Sequence, residues 1–239
     1  MSAYTHRHHG NRLLAALPFD MRAALERDMH DTMLAQGAIV FEPGASMTHI
    51  YFPQTGMISL LVVTRDGGML ETSIVGREGA VGLQGGRGER RSFTRATVQM
   101  GGTFSIIDAA SVQRTADRSA PFRDLISDYT DRLWAEAQQM AACNAMHDAS
   151  SRLSRWLLQC ADRSDSDLLP LTQEFLANML GVRRTTLTLV AQALQERGAI
   201  QYRRGKIEIV DRVLLEASAC ECYQIIHQAD RPLIPCRKA

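Results

Sequence analysis

The chain has 239 residues, 45% of them hydrophobic and 22% charged, with a formal net charge of +1. That length suits one large or two small domains, and that charge excludes a chain that is basic throughout, so any grip on nucleic acid has to come from a local patch. Without an apolar run of about 18 residues no membrane partner is expected, and since Arg7 and the histidines His6, His8 and His9 precede no apolar stretch, no secretory signal is expected and the cytoplasm is the expected compartment.

Residues 11–36 read as helical, because Leu13, Leu14, Leu17, Met21, Ala24, Leu25, Met29 and Met33 recur at helical spacing. Pro18 and Asp20 divide this stretch into two short helices. From Ala38 to Ile107 short β-branched or aromatic runs alternate with turn signals. The runs are Ile39–Phe41, Ile50–Phe52, Met57–Val63, Leu70–Val75, Ala96–Val98 and Thr103–Ile107. Glu42-Pro43-Gly44, Asp66-Gly67-Gly68, the glycine-rich stretch 85–88 and Gly101-Gly102 separate them. Many short strands with regular glycine punctuation predict a β-barrel or sandwich, and Asp66-Gly67-Gly68 predicts a hairpin.

A long helix is expected from Ser119, a good N-cap, with Pro121 in its first turn. Phe122, Ile126, Tyr129, Leu133, Ala137, Met140 and Asn144 step by three and four residues, the spacing of a helix paired with another helix. They are the candidate homodimer seam; the competing reading is a helix packed on its own barrel. A further helix spans about Asp148 to Arg163, with Leu153, Trp156, Leu157 and Cys160 on one face. The polar stretch Arg163 to Asp167 is expected to be a loop that ends it.

The functional signal lies between Leu171 and Val210. Thr172 starts a helix with Phe175, Leu176 and Met179 on its apolar face, and Ala177 is small enough for a close helix crossing. Gly181 then supplies a tight turn, and a second helix directs Leu187, Val190, Ala191 and Leu194 inward. Two short helices joined in this way form a helix-turn-helix. The second helix displays Arg183, Arg184, Thr185, Thr186 and Thr188 in its first turns, where a recognition helix meets base edges. After Gly198, two short strands with Arg203, Arg204 and Lys206 at their tip read as a wing that contacts phosphate. Between Thr172 and Lys206 six basic residues face two acidic ones, a local charge of +4 that leaves −3 for the rest of the chain. This asymmetry marks a small DNA-binding module.

The order of elements and the segments Leu171-Thr-Gln-Glu-Phe-Leu-Ala and Leu180-Gly-Val-Arg-Arg-Thr-Thr-Leu resemble the Crp/Fnr (catabolite activator and fumarate-nitrate regulator) family over roughly Leu13 to Val210. The resemblance implies an α+β fold with an N-terminal β-roll, the cyclic-nucleotide-binding type of jelly roll. A sensor domain over 1–118, a dimerisation helix over 119–146 and a winged helix-turn-helix domain over 147–239 would follow. It implies a homodimer on double-stranded DNA that communicates with RNA polymerase. Arg184 would read guanine, Thr172 and Gln173 would touch phosphate, and Thr185 and Thr188 would face bases. The best-known members have an acidic residue where Thr185 stands and a second arginine near Leu189, so the operator is not transferable.

Cyclic-nucleotide-binding members carry Gly-Glu-Leu and then an Arg-Ser or Arg-Thr pair. Here the first pattern reads Gly82-Leu83-Gln84, without the ribose-binding glutamate, while Arg91-Ser92 keeps the phosphate pair. Gly79, Gly82, Arg91 and Ser92 are therefore the candidate effector residues, and a cyclic nucleotide is disfavoured as the effector. The segment 75–82 looks like a subgroup whose effectors are mostly undefined.

Cys143, Cys160, Cys220, Cys222 and Cys236 are odd in number and irregular in spacing, which predicts reduced thiols. None lies near the N-terminus, where iron–sulfur members carry their cluster. Cys220-Glu221-Cys222 reads as two thiols on one C-terminal helix, His147 as a packed or solvated histidine, and no metal site or cofactor is assigned. No phosphate-binding loop, nucleophile elbow or zinc-protease motif occurs, so no enzyme activity is expected. The rival function is a small-molecule-binding signalling protein whose helix-turn-helix serves protein contacts.

Overall fold

A computed structural model describes residues 10–83, 91–164 and 166–229. The N-terminal histidines, Gln84, the glycine turn at 85–88, Asp165 and Cys236 lie outside them.

The chain opens with two short helices, α1 (Arg12–Ala15) and α2 (Phe19–Glu26), divided at Pro18 as its locked φ requires. Seven strands follow: β1 (His30–Leu34), β2 (Ile39–Phe41), β3 (His49–Pro53), β4 (Met57–Val63), β5 (Met69–Val75), β6 (Arg95–Met100) and β7 (Gly102–Asp108). They form two antiparallel sheets, ordered β1-β7-β3 and β2-β6-β4-β5. The β4–β5 hairpin turns at Gly67, whose φ of +86° suits glycine. Between the sheets lie Phe41, Ile58, Val75, Val98, Phe104 and Ile106. The outer face of β4 and β5 is covered too, since Met57, Leu61 and Ile74 join a second core with the C-terminal helices. Burial on both faces is why β4 reads as an unbroken apolar run instead of alternating.

The expectation of helix up to residue 36 is corrected here. Residues 30–34 pair with β7 in register His30↔Ile106 to Leu34↔Gly102. Met33, which extended the helical periodicity, is 72% exposed on this edge strand. A ten-residue helix, α3 (Ala109–Arg118), follows β7 and was not expected from its polar sequence; Asp108 caps it by accepting from the Ala110 N–H.

Helix α4 (Ala120–Met146) has 27 residues, Ser119 as N-cap and Pro121 in the first turn. At 1.5 Å per residue it is about 40 Å long. The candidate dimer seam is partly taken up by the chain's own core. Phe122 and Tyr129 are buried in a core built from α1, α2, α3 and β3, and Met140 packs with Cys143, Cys220, Cys222 and Ile226. Tyr129 reaches Gly79, where an added Cβ would lie 2.2 Å from its hydroxyl. That hydroxyl donates to the Ala80 carbonyl at 2.9 Å and accepts from the Ala80 N–H at 2.9 Å. Ile126, Leu133, Ala137 and Asn144 are half-buried. Three of the seven stripe residues are therefore spent within the protomer and four keep part of their surface. The open stripe is Ser127, Asp131, Trp134, Gln138, Ala141 and Ala145, also spaced by four and three, with Trp134 66% exposed.

Helix α5 (Ala149–Ser164) is buried nearly all round. Trp156 Nε1 donates to Glu71 of β5 at 2.5 Å, and Gln99 of β6 donates to Cys160 Sγ at 2.9 Å. Arg163, expected in a polar loop, is buried and forms ion pairs with Glu78 after β5 at 3.0 Å and Glu136 of α4 at 3.1 Å. A cation flanked by one buried and one half-buried carboxylate has reason to leave water, which charge alone does not reveal. Burial pushes the Glu71 carboxyl up to about 7, opposed by hydrogen bonds from Ser59 and Trp156 and by the charge of Arg155.

The remaining elements are β8 (Leu168–Leu169), α6 (Gln173–Leu180), α7 (Arg184–Glu196), β9 (Ile200–Arg203), β10 (Lys206–Ile209), α8 (Arg212–Ser218) and α9 (Cys222–Ala229). The wing is a three-stranded sheet, β8-β10-β9; strand β8 was not expected from the sequence. Within the described residues, no helix is long and apolar enough to cross a membrane.

Candidate nucleic-acid interface

Thr172 caps α6 by accepting from the Phe175 N–H at 3.2 Å. The helix ends at Gly181, in the left-handed region at φ +61°. An added Cβ there would come within 2.8 Å of Leu70 Cδ1 on β5, so glycine serves both the turn and the packing of that turn on the β-roll. The buried Arg152 of α5 donates to the Leu180 carbonyl, satisfying an acceptor at the end of α6. Leu187, Ala191 and Leu194 are buried, with Val190 half-buried beside them, which fixes the rotation of α7 about its axis.

That rotation leaves Arg183, Arg184, Thr185, Thr186 and Thr188 exposed on one end of α7. Arg183 is the N-cap residue, makes no side-chain capping bond, and is followed by no acidic residue in the first turn. Two guanidinium groups at the positive end of a helix dipole oppose the helix by a few tenths of a kcal/mol each. A polyanion laid across this end would reverse that penalty and also meet the free backbone N–H groups. Thr188 Oγ1 donates to the Arg184 carbonyl at 2.9 Å and lies 3.2 Å from Gln173 Oε1, joining the two helices across their outer face. Leu189 is 69% exposed on the same helix and was not among the expected contact residues.

The wing returns to this face. Arg203 pairs with Lys206, leaving Arg204 and Gly205 as a two-residue turn with φ of 49° and 75°. Both values are positive, as a type I′ turn demands, and Arg204 is the only non-glycine residue with positive φ among the described residues. An L-residue there costs about 1 kcal/mol. The turn thus carries strain and a cation where Asn-Gly would be relaxed. An added Cβ at Gly205 would be 3.7 Å from Thr172, so the wing tip adjoins the start of α6. Arg203, Arg204 and Lys206 are exposed. Buried Ile200, Ile207 and Ile209 anchor the wing, and the Tyr202 N–H donates to Gln195 of α7 at 2.9 Å.

Three of the four candidate effector residues share one cavity and Gly79 stands apart. Gly79 receives Tyr129, as described. Gly82, Arg91 and Ser92 line a cavity of about 640 Å³ between the β-roll and α4. Its walls are largely apolar and aromatic, including Phe41, Met47, Leu60, Phe93 and Trp134. The Ser92 hydroxyl is used in a local turn, donating to the Thr94 carbonyl at 2.7 Å, and Arg91 donates to the Gly44 carbonyl at 3.0 Å. Polar groups on the wall include Thr72, Ser73 and Thr130 as well as Arg91 and Ser92.

Residues 151–218 match the family model of the Crp-like helix-turn-helix domain. The chain has the Crp/Fnr fold, ending in a Crp-like helix-turn-helix domain. It resembles a protein from Eubacterium rectale assigned to the Crp/Fnr regulators at 17% identity and a TM-score of 0.68, over 87% of this chain and 97% of that one. FixK2 from Bradyrhizobium japonicum aligns at 13% identity and a TM-score of 0.70, over 80% and 98%. The c-di-GMP-responsive global regulator CLP of Xanthomonas campestris aligns at 17% and 0.67, over 81% and 100%. No curated protein matches the sequence.

Proposed function

We propose that the protein is a DNA-binding regulator of transcription, active as a homodimer and without enzymatic activity. The observation that carries this is the single exposed face formed by the N-terminal turns of α7 and the wing tip. It gathers Arg183, Arg184, Arg203, Arg204 and Lys206 beside Thr172. In this reading Arg184 meets guanine, Thr185, Thr186 and Thr188 face the major groove, and Thr172, Gln173 and the wing cations hold phosphate. Two copies joined through the open stripe of α4, with Trp134 as anchor, would present two α7 helices to successive major grooves, about 34 Å apart.

A ligand in the cavity between the β-roll and α4 would act on α4 directly, because Leu133, Trp134 and Ala137 form part of its wall. The lining favours an apolar or aromatic molecule over a nucleotide. To shift the dimer it must bind one arrangement of α4 more tightly than the other.

The deciding experiment is selection from random duplex DNA at two salt concentrations. A palindromic consensus with a guanine in each half-site, bound more weakly as salt rises, is the expected result. Enrichment of no sequence, both alone and with apolar ligands present, would remove the DNA-reading function and leave a signalling protein with protein contacts.

A further inference from the structure

We propose that Cys143, His147, Cys220 and Cys222 form a four-coordinate site for a thiophilic divalent cation of the zinc class. Their ligand atoms all lie within 4.8 Å of one another. Cys143 Sγ is 3.5 Å from Cys220 Sγ, and Cys222 Sγ is 3.7 Å from His147 Nδ1. A tetrahedral centre with Zn–S of about 2.3 Å and Zn–N of about 2.0 Å has S···S edges of roughly 3.8 Å and S···N edges of roughly 3.5 Å. The donor set, three thiols and one imidazole, is that of closed zinc sites and of soft-metal selectivity.

The two halves come from distant parts of the chain. Cys143 and His147 lie one helical turn apart at the end of α4, where His147 is the C-cap residue. Cys220 and Cys222 flank Glu221 at the start of α9. The outer shell is built as well. His147 Nε2 is 3.2 Å from Glu221 Oε1, which turns Nδ1 toward the sulfurs. Gln139 Nε2 donates to Cys222 Sγ at 3.0 Å. A carboxylate holding the far nitrogen of a histidine is the arrangement that orients metal-bound imidazole. The three cysteines are buried, so thiolates there need compensating charge. A divalent cation leaves three thiolates one negative charge in excess, and the buried Arg152 and Arg155 of α5 are near enough to offset it. Four protein ligands leave no open position, so the ion is structural: it bolts α9 to the end of α4, at the junction with α5.

The test is the metal content of the full chain, purified in reductant without a metal-affinity tag. About one zinc per chain is expected. Replacing the metal with cobalt(II) should give the visible absorption of a tetrahedral, thiolate-bound ion, a signature independent of any variant's folding. Cys143→Ser and Cys222→Ser should lose the metal. Glu221→Gln should weaken binding about 10- to 100-fold, the usual outer-shell effect. The variant with His6, His8 and His9 all changed to Ala should keep it. Metal-free protein whose thiols react freely, a Cys143–Cys220 disulfide in freshly isolated protein, or metal that disappears only with the N-terminal histidines would each overturn the proposal.

Discussion

The arginines of α5 and those of α7 are the same residue type under opposite regimes. Arg152, Arg155 and Arg163 are buried, and each is anchored by named partners within the protomer: the Leu180 carbonyl, Gln159, and Glu78 with Glu136. Arg183 and Arg184 project into water from the wrong end of a helix dipole, and Arg204 occupies a strained turn. The first set holds the β-roll, α4 and the helix-turn-helix together; the second weakens its own elements slightly. A residue that costs the fold something and is kept exposed is better explained by what it meets outside. Thus the arginines divide into those that build the molecule and those that, in the proposed function, belong to its DNA partner.

The sharpest way to break this contrast is Arg163→Ala. It strands Glu78 and Glu136 without their shared cation, so a loss of about 3–5 kcal/mol is expected in denaturant unfolding. An unchanged midpoint would mean that the ion pairs do not join the domains. Next comes the acid-side behaviour of Glu71. Its folded pKa is raised from 4.5 to about 7, so between those values the folded chain keeps a proton that the unfolded chain has released. Stability should therefore fall as pH rises through that window, by on the order of 3 kcal/mol, and stay low above it. Glu71→Gln should flatten this slope in unfolding measured from pH 5 to 8. For the exposed set, Arg184→Ala should leave unfolding within about 0.5 kcal/mol of the parent. It should cost about 1–3 kcal/mol in operator binding and relax preference at one base pair. The smallest effect is at the wing, where Arg204→Asn relieves positive-φ strain. Stability should rise by up to about 1 kcal/mol while the salt slope of DNA binding drops by about one.

Much of this was legible in the sequence. The strand runs from Ile39 to Ile107, the Ser119 cap, the Gly181 turn and the basic wing all encode local geometry. What failed was non-local. His30–Leu34 has no apolar alternation because it is an edge strand with Met33 facing water. The stripe from Phe122 to Met140 has the spacing of a helix seam, and periodicity does not show that Phe122, Tyr129 and Met140 are taken up by the chain's own core. Gly79 reads as a motif glycine until Tyr129 arrives from 50 residues away. Arg163 follows the same logic, since its partners at 78 and 136 are invisible from its neighbours. Cys143 and His147 are separated from Cys220 and Cys222 by more than seventy residues, and only the fold brings the four together. The cations proposed to meet DNA are exposed as their local sequence suggests, because their placement depends on near neighbours.

Helix α5 also bears on how this protein can be divided. On one side it shares a core with Met57, Leu61, Ile74 and Met100 of the β-roll, and on the other with α6, α7 and the wing. A fragment beginning near residue 147 would expose Trp156 and its neighbours, at roughly 1.5–3 kcal/mol for each large side chain. The helix-turn-helix domain is thus not a cartridge that can be lifted out and attached to a different β-roll. A working chimera would have to bring along the outer face of β4 and β5, or redesign the helix that rests on it.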